Sequence, residues 1–244
     1  MSMSLIFVSC SKDDDKDNDE TSNSVKKRLK SIDDDGDVLS FIYTNEKITR
    51  EVESYYDSYY GETHYYNKDI KYFDSKIEIQ DGGETITYNL TNGLVTRIID
   101  GEDYEDITYE NGRIKTWKKY YEGELDEDIL FEWKDDVITH QRELDEDGEL
   151  VHDFYYTYTK NVDYGGVIAS FQSNSFFYDN LPESLILQGY FGKLPKYLVS
   201  EINNVAPDGG KDNFSYVMDE DGYPTTMTWT LSGGSSIATY FVWE

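Results

Sequence analysis

Residues Tyr109 to Trp117 read YENGRIKTW, and the pattern returns as YTNEKITREV from Tyr43, YNLTNGLVTRI from Tyr88, WKDDVITH from Trp133 and YVMDEDGYPTTMTW from Tyr216. In ITYENGRI, Ile107 and Tyr109 share one face of an extended strand, because successive side chains alternate sides. Asn111 and Gly112 follow at once. Asn-Gly is the strongest short hairpin signal, since a two-residue type I′ turn needs positive φ at both central positions and these residues tolerate it best. The chain then returns as a second strand from Arg113. Related corners are expected at Asn92-Gly93, Asp135-Asp136, Asp147-Gly148 and Asp221-Gly222, with Gly82-Gly83 and Gly233-Gly234 as further turns.

Tyr88, Tyr109, Trp133 and Tyr158 lie 21, 24 and 25 residues apart, room for two strands of about eight residues and their turns. Each unit is therefore one β-hairpin, which cannot bury its apolar face alone and must pair with neighbours. The rows Ile129, Phe131, Trp133 and Phe154, Tyr156, Tyr158 are expected in the core. The fold class expected is all-β: a large curved antiparallel meander of hairpins, barrel-like, over residues 38–244. One stretch, NLPESLILQGYFG, breaks the β pattern. Asn180 as cap, Glu183 three residues on, and Gly189 and Gly192 near the end predict a short helix near 181–190 that covers one mouth of the sheet.

The 244 residues carry 50 acidic and 22 basic side chains, a formal charge of -28. A chain this acidic is repelled by phosphate backbones, so no nucleic-acid partner is expected. With 38% hydrophobic residues and 23 tyrosines, it is too rich in rings for an acidic disordered chain. Charges such as Lys71, Arg97, Lys115, Lys119 and Glu132 interrupt the strands, and mean hydropathy is -0.70. A lipid-facing barrel wall needs a continuous apolar band, so a water-soluble body is expected.

The single cysteine stands in MSMSLIFVSCSKDDDKDND. It allows neither an intramolecular disulfide nor a Cys-based metal site. An apolar run Leu5–Val8, small Ser9, Cys10 and then acids resembles the end of a bacterial lipoprotein signal, with Cys10 as the lipidated residue. No Lys or Arg precedes Lys12, so the leader is expected to be longer than these ten residues. By this resemblance, residues 1–10 are the end of a signal peptide and the partner is a membrane reached through the lipid anchor. The run Lys12–Asp17 looks like an outer-membrane sorting signal. Residues 11–37, poor in apolar side chains, are expected to form a disordered acidic tether.

Two further resemblances concern the folded part. The aromatic, acidic, Gly and aliphatic pattern is similar to the YD-type repeats of secreted bacterial proteins. The C-terminal third, LILQGYFGKLPKYLVSEI and then FSYVMDEDGYPTTMTWTLSGGSSIATYFVWE, resembles a family of Gram-negative lipoprotein domains of unknown function with a porin-like fold. The shared features are the Gly192-Lys193 step, the DEDGYP corner at Asp219 to Pro224 and a closing hairpin of alternating Thr and aromatics. The resemblance implies a cell-envelope, outer-membrane lipoprotein with a curved antiparallel sheet or barrel, and it supplies no catalytic residues.

No catalytic constellation emerges. His64, His140 and His152 have no metal spacing, and no GxSxG or Walker loop is present. LDEDGEL and MDEDGYP do not close an EF-hand shell, because aligning Gly148 puts Phe154 last and aligning Gly222 puts Val217 first. No cofactor or metal is expected. Strict alternation puts Arg113, Lys115, Trp117, Lys119 and Tyr121 on one face, so Trp117 and Tyr121, with Tyr155 opposite the core row, are the candidate ligand-binding rings. Further aromatics cluster at Tyr55, Tyr56, Tyr59, Tyr60, Tyr65 and Tyr66. The function expected is a non-catalytic binding or structural module for a glycan or protein ligand. The alternatives are a polysaccharide-acting hydrolase and an assembly component docking by strand edges.

Overall fold

The computed structural model describes residues 27–34, 36–159, 181–207 and 209–244. The first eight strands are β1 (Leu29–Asp34), β2 (Asp37–Thr44), β3 (Lys47–Asp57), β4 (Glu62–Tyr72), β5 (Lys76–Asp81), β6 (Glu84–Thr91), β7 (Leu94–Asp100) and β8 (Asp103–Glu110). After them come β9 (Arg113–Tyr121), β10 (Glu124–Lys134), β11 (Val137–Leu144), β12 (Leu150–Tyr158), β13 (Val199–Asn204), β14 (Lys211–Met218), β15 (Pro224–Thr230) and β16 (Ser236–Trp243). A five-residue helix, α1 (Glu183–Leu187), lies between β12 and β13. Each strand pairs antiparallel with its sequence neighbours, and β1 pairs with β16, so the sixteen strands close into a barrel. The expected meander of hairpins is thus present, and it closes completely.

The corners follow the residue chemistry. Asn92-Gly93, Asn111-Gly112 and Asp135-Asp136 all have positive φ at both positions, as a type I′ turn requires. Asn45-Glu46 and Glu122-Gly123 turn the same way.

The recurring hexad, an aromatic residue or leucine, four turn residues and an aliphatic one, has a structural use. At the end of the barrel that receives the β2–β3, β6–β7, β8–β9 and β10–β11 hairpins, the residue before each turn pairs with the aliphatic residue after it: Tyr43 with Ile48, Leu90 with Val95, Tyr109 with Ile114 and Trp133 with Ile138. A register shift follows every one of these pairs, leaving an extra residue on the returning strand that bends and twists it. Thr49 and Thr139 are two such residues, and their hydroxyls donate to the carbonyls of Ile42 and Glu132, both at 3.3 Å.

The aromatic tips then reach back to the previous hairpin. The hydroxyls of Tyr43, Tyr72, Tyr109, Tyr158 and Tyr216 donate to the carbonyls of Leu29, Ile48, Val95, Ile138 and Val199 at 2.6 to 2.8 Å. The indole N–H groups of Trp133 and Trp243 do the same to Ile114 and Pro224, at 2.8 and 2.7 Å. Each bond joins neighbouring hairpins and contributes about 1 kcal/mol net. Together they form a belt around this end of the barrel.

The inward rows are apolar near the belt. Ile48, Ile77, Val95, Ile114, Trp117, Ile138 and Val199 are completely buried. The expected core rows are found: Ile129, Phe131, Phe154 and Tyr156 are buried, with Trp133 and Tyr158 packed against them. The outer wall carries cross-strand ion pairs, Arg50–Asp69 at 2.5 Å and Arg97–Asp106 at 2.6 Å, where a lipid-facing wall has an apolar band. Among the described residues no helix is long and apolar enough to cross a membrane.

One expectation needs correction. The tether expected over residues 11–37 does not include Leu29–Asp34, which is the strand that closes the ring, with Ile32 opposite Phe241. The basic residues before it fasten the seam: Lys27 bridges Asp219 and Asp221 at 2.8 and 2.6 Å, and Arg28 meets Glu244 at 3.0 Å. Only two inward apolar residues, Leu29 and Ile32, mark this strand in the sequence, and its partner lies at the far terminus. The short helix expected near 181–190 is present as Glu183–Leu187. It starts after Pro182 without a side-chain cap bond, and Asn180, the expected cap, lies outside the described residues, as do Cys10 and the leader.

Candidate ligand-binding mouth

The segment from Leu181 to Leu198 plugs the belted end. Ser184, Leu185 and Ile186 of α1 are buried, with Leu181, Phe191 and Leu198 around them. The inward carboxylate of Glu51 on β3 accepts the Ser184 N–H at 2.9 Å, so an acid of the barrel wall satisfies an amide of the first helical turn. The side-chain amide of Gln188 donates to the Tyr72 hydroxyl at 2.6 Å. Burial pushes the Tyr72 phenol up to about 12. Beyond the helix the backbone is stitched to hairpin tips. Val95 N–H donates to the Tyr190 carbonyl at 2.9 Å, Lys193 N–H to Gly112 at 2.7 Å and Lys196 N–H to Asp136 at 3.0 Å. Gly192 has φ +80, and a Cβ there would overlap the Gly112 carbonyl.

Toward the opposite end the inward rows become polar. A cavity of about 540 Å³ lies there, inside the range of about 300–1,000 Å³ usual for small-ligand sites. Among the described residues its walls carry Ile32, Leu39, Ile79, Ile86, Tyr88, Phe214, Met227 and Trp229, and its polar groups are Asp34, Asp37, Glu53, Lys68, Asp81 and Thr239. Leu181, Pro182 and Glu183, the approach to α1, line it from the plugged side. Phe214 and Trp229 stack with centroids 6.0 Å apart. Thr239 donates its hydroxyl to Asp34 at 3.1 Å, and Lys68 sits 4.0 Å from Glu53 and 3.8 Å from Asp81. Burial raises the Tyr88 phenol well above its ordinary range, with nearby carboxylates adding to the effect, so it stands in the wall as a neutral hydroxyl.

Beside this mouth the β3–β4 hairpin overhangs its neighbours. Its inner face stacks Tyr55 on His64 at 5.1 Å and on Tyr66 at 5.9 Å. At its tip Tyr59 and Tyr60 are 86% and 71% exposed.

The rings singled out from sequence are not brought together. Trp117 is 0% exposed, and its indole N–H donates to Glu105 at 2.6 Å inside the barrel. The expected face shared with Arg113 and Lys115 does not exist, because the register shift after Tyr109–Ile114 makes Lys115 the extra residue and sends Trp117 inward. That placement corrects the reading of Trp117 as a surface stacking ring. Tyr121, 61% exposed, lines a separate pocket of about 140 Å³ with Tyr104, Lys119 and Tyr120. Tyr155, 45% exposed, stacks on His140 at 4.3 Å on the outer wall. Among the described residues no group of His, Cys, Asp and Glu has an arrangement that could hold a metal ion. The mouth was missed because its walls come from strands at both ends of the chain.

No family model matches the chain, and no match is found among curated proteins. Solved structures do match in fold. A porin-like protein from Bacteroides uniformis ATCC 8492 superposes with a TM-score of 0.71 at 14% identity, covering 88% of this chain and 96% of that one. A porin-like protein from Bacteroides vulgatus ATCC 8482 gives a TM-score of 0.59 at 11% identity, over 88% and 97%. At such identities the likeness establishes the barrel and leaves the chemistry of the mouth to this chain's own residues.

Proposed function

We propose that this chain is a lipid-anchored, non-catalytic module of the cell envelope whose barrel is a one-ended cup for a short glycan segment. The observation that carries the reading is the cavity of about 540 Å³ with aromatic walls and a carboxylate rim, backed by a plug that is hydrogen-bonded to the barrel wall. Sugar rings stack on aromatic faces such as Trp229, and their hydroxyls donate to carboxylates such as Asp81 and Glu53. The Cys10 leader supports anchoring, and the fold neighbours from Bacteroides fit an envelope setting.

A polysaccharide-fragment panel titrated against the folded chain tests the cup. Binding is expected, and Leu39→Trp, which fills the cavity from its partly exposed wall, is expected to abolish it. Binding unchanged by Leu39→Trp refutes the cup. Anchoring is tested separately: Cys10→Ser in the full-length precursor is expected to release the protein from membranes, and continued membrane retention with an unmodified cysteine refutes it.

A further inference from the structure

Closing the ring pairs the strands with each other, but it leaves an edge where a hairpin overhangs. β4 pairs with β3 from Glu62 to Asp69, whereas it pairs with β5 only from Lys68 onward. Among the described residues, six in a row, Glu62–Asn67, therefore have no strand on the β5 side. All of them except His64 are exposed. Half of their backbone N–H and C=O groups face β3, and the rest point outward as an unused ladder.

Three observations give this edge a ligand. It is not blunted: ETHYYN contains neither Lys nor Pro, the residues by which exposed edges are usually protected. It is held in shape, by the Tyr55–His64 and Tyr55–Tyr66 stacks and by the Asp57 carboxylate, which accepts the Tyr59 and Tyr60 N–H groups at 2.8 and 3.1 Å. A strand docking there does not have to order it first. Its surroundings are acidic: Glu53, Asp57 and Glu62 lie on the hairpin, Asp81 and Glu84 at the neighbouring β5–β6 turn, and Lys68 stands near Glu53 and Asp81.

We propose that the free edge of β4, Glu62–Asn67, docks an extended basic polypeptide segment, which adds to the β3–β4 hairpin as a third strand. Backbone bonds supply the ladder. Lys or Arg side chains on alternate positions meet the carboxylates on one face, and on the other they lie over Tyr56 and Tyr65. A second copy of this chain is a poor occupant, because a formal charge of -28 on each molecule opposes self-association. The backbone ladder lies outside the cup, although Glu53, Lys68 and Asp81 also line the cup's rim.

The test uses the whole folded chain and a labelled peptide of alternating arginine and valine, measured by fluorescence anisotropy. N-methylation of alternate peptide amides removes one ladder while keeping the charge, and it should weaken binding about tenfold or more, as loss of two or three net hydrogen bonds implies. The double variant Thr63→Lys, Tyr65→Lys blunts the edge and should weaken binding similarly, with unchanged circular dichroism because these side chains lie outside the core. The proposal is overturned if the parent peptide does not bind, if the N-methylated peptide binds equally, or if the double variant binds equally. It is also overturned if the edge proves to hold a second copy, seen as a concentration-dependent dimer that the double variant abolishes.

Discussion

The backbone N–H of Lys193 donates to the carbonyl of Gly112 at 2.7 Å, so the turn of the YENGRI hairpin is also the anchor of the plug. The Gly192-Lys193 step noted in the sequence has its physical reason here. Glycine lets the plug backbone come against the hairpin tip in a left-handed conformation, and the next amide makes the bond.

Replacing Gly192 with Ala drives a Cβ into the Gly112 carbonyl at a positive φ. Overpacking against backbone costs about 1–3 kcal/mol, and the strained φ adds to it. Thermal unfolding should shift down accordingly, with amide exchange quickening first at Lys193. An unshifted melting temperature would show that the plug does not rest on this contact.

Glu51→Ala removes the acceptor of the Ser184 N–H. A buried donor left without its partner costs about 1–3 kcal/mol. The expected result is faster hydrogen exchange across Glu183–Leu187 and a lower denaturant midpoint, while the outer strands keep their protection. Equal exchange in variant and parent would refute the role of Glu51.

Tyr109→Phe deletes one clasp of the belt, the hydroxyl bond to the Val95 carbonyl at 2.6 Å, while keeping the ring. A loss of about 1 kcal/mol is expected in urea unfolding. The comparison is Tyr121→Phe, whose side chain is largely exposed and should change stability by less than about 0.5 kcal/mol. Equal effects would mean that the belt bonds contribute nothing beyond ring burial.

High pH should unfold the barrel cooperatively. Burial holds the Tyr72 phenol up at about 12 and Tyr88 higher still, whereas the unfolded chain ionises its tyrosines near 10. The folded state then keeps protons that the unfolded state has lost. This stability is complete below about pH 10 and falls as pH rises, the Tyr72 share being lost through about pH 12. Phenolate absorbance should show one group of tyrosines ionising only together with the loss of β circular dichroism. The combined Tyr72→Phe, Tyr88→Phe variant should lose part of this alkaline slope.

Low pH tests the seam. The hydrogen bond from Lys27 holds the Asp219 carboxyl below its ordinary range. A lowered folded value contributes stability above the usual carboxylate pKa, and that stability is lost as pH falls through the folded one. In Lys27→Ala the Asp219 carboxyl, followed by NMR, should titrate closer to its usual value. An unmoved titration would place the cause elsewhere.

The hairpins were legible in the sequence because their cause is local. Asn111-Gly112 and Asp135-Asp136 can turn at positive φ whatever surrounds them, and alternation correctly put Ile129, Phe131 and Phe154 in the core. The short plug helix was legible too, as a break in the β period. Alternation failed at Trp117, because one extra residue at Lys115 reverses every side chain after it, and a bulge leaves no sure mark in the string.

What the sequence by itself determined, then, is the unit: an aromatic, a two-residue turn, an aliphatic partner, repeated until the chain is a row of antiparallel strands. Only the tertiary structure decided that the row closes, through Ile32 opposite Phe241. It also decided that strands from both ends of the chain enclose the mouth and that one hairpin overhangs it. Turn conformations are set within a few residues, but ring closure, cavity walls and free edges depend on contacts between segments about two hundred residues apart, and no local window of the sequence contains them.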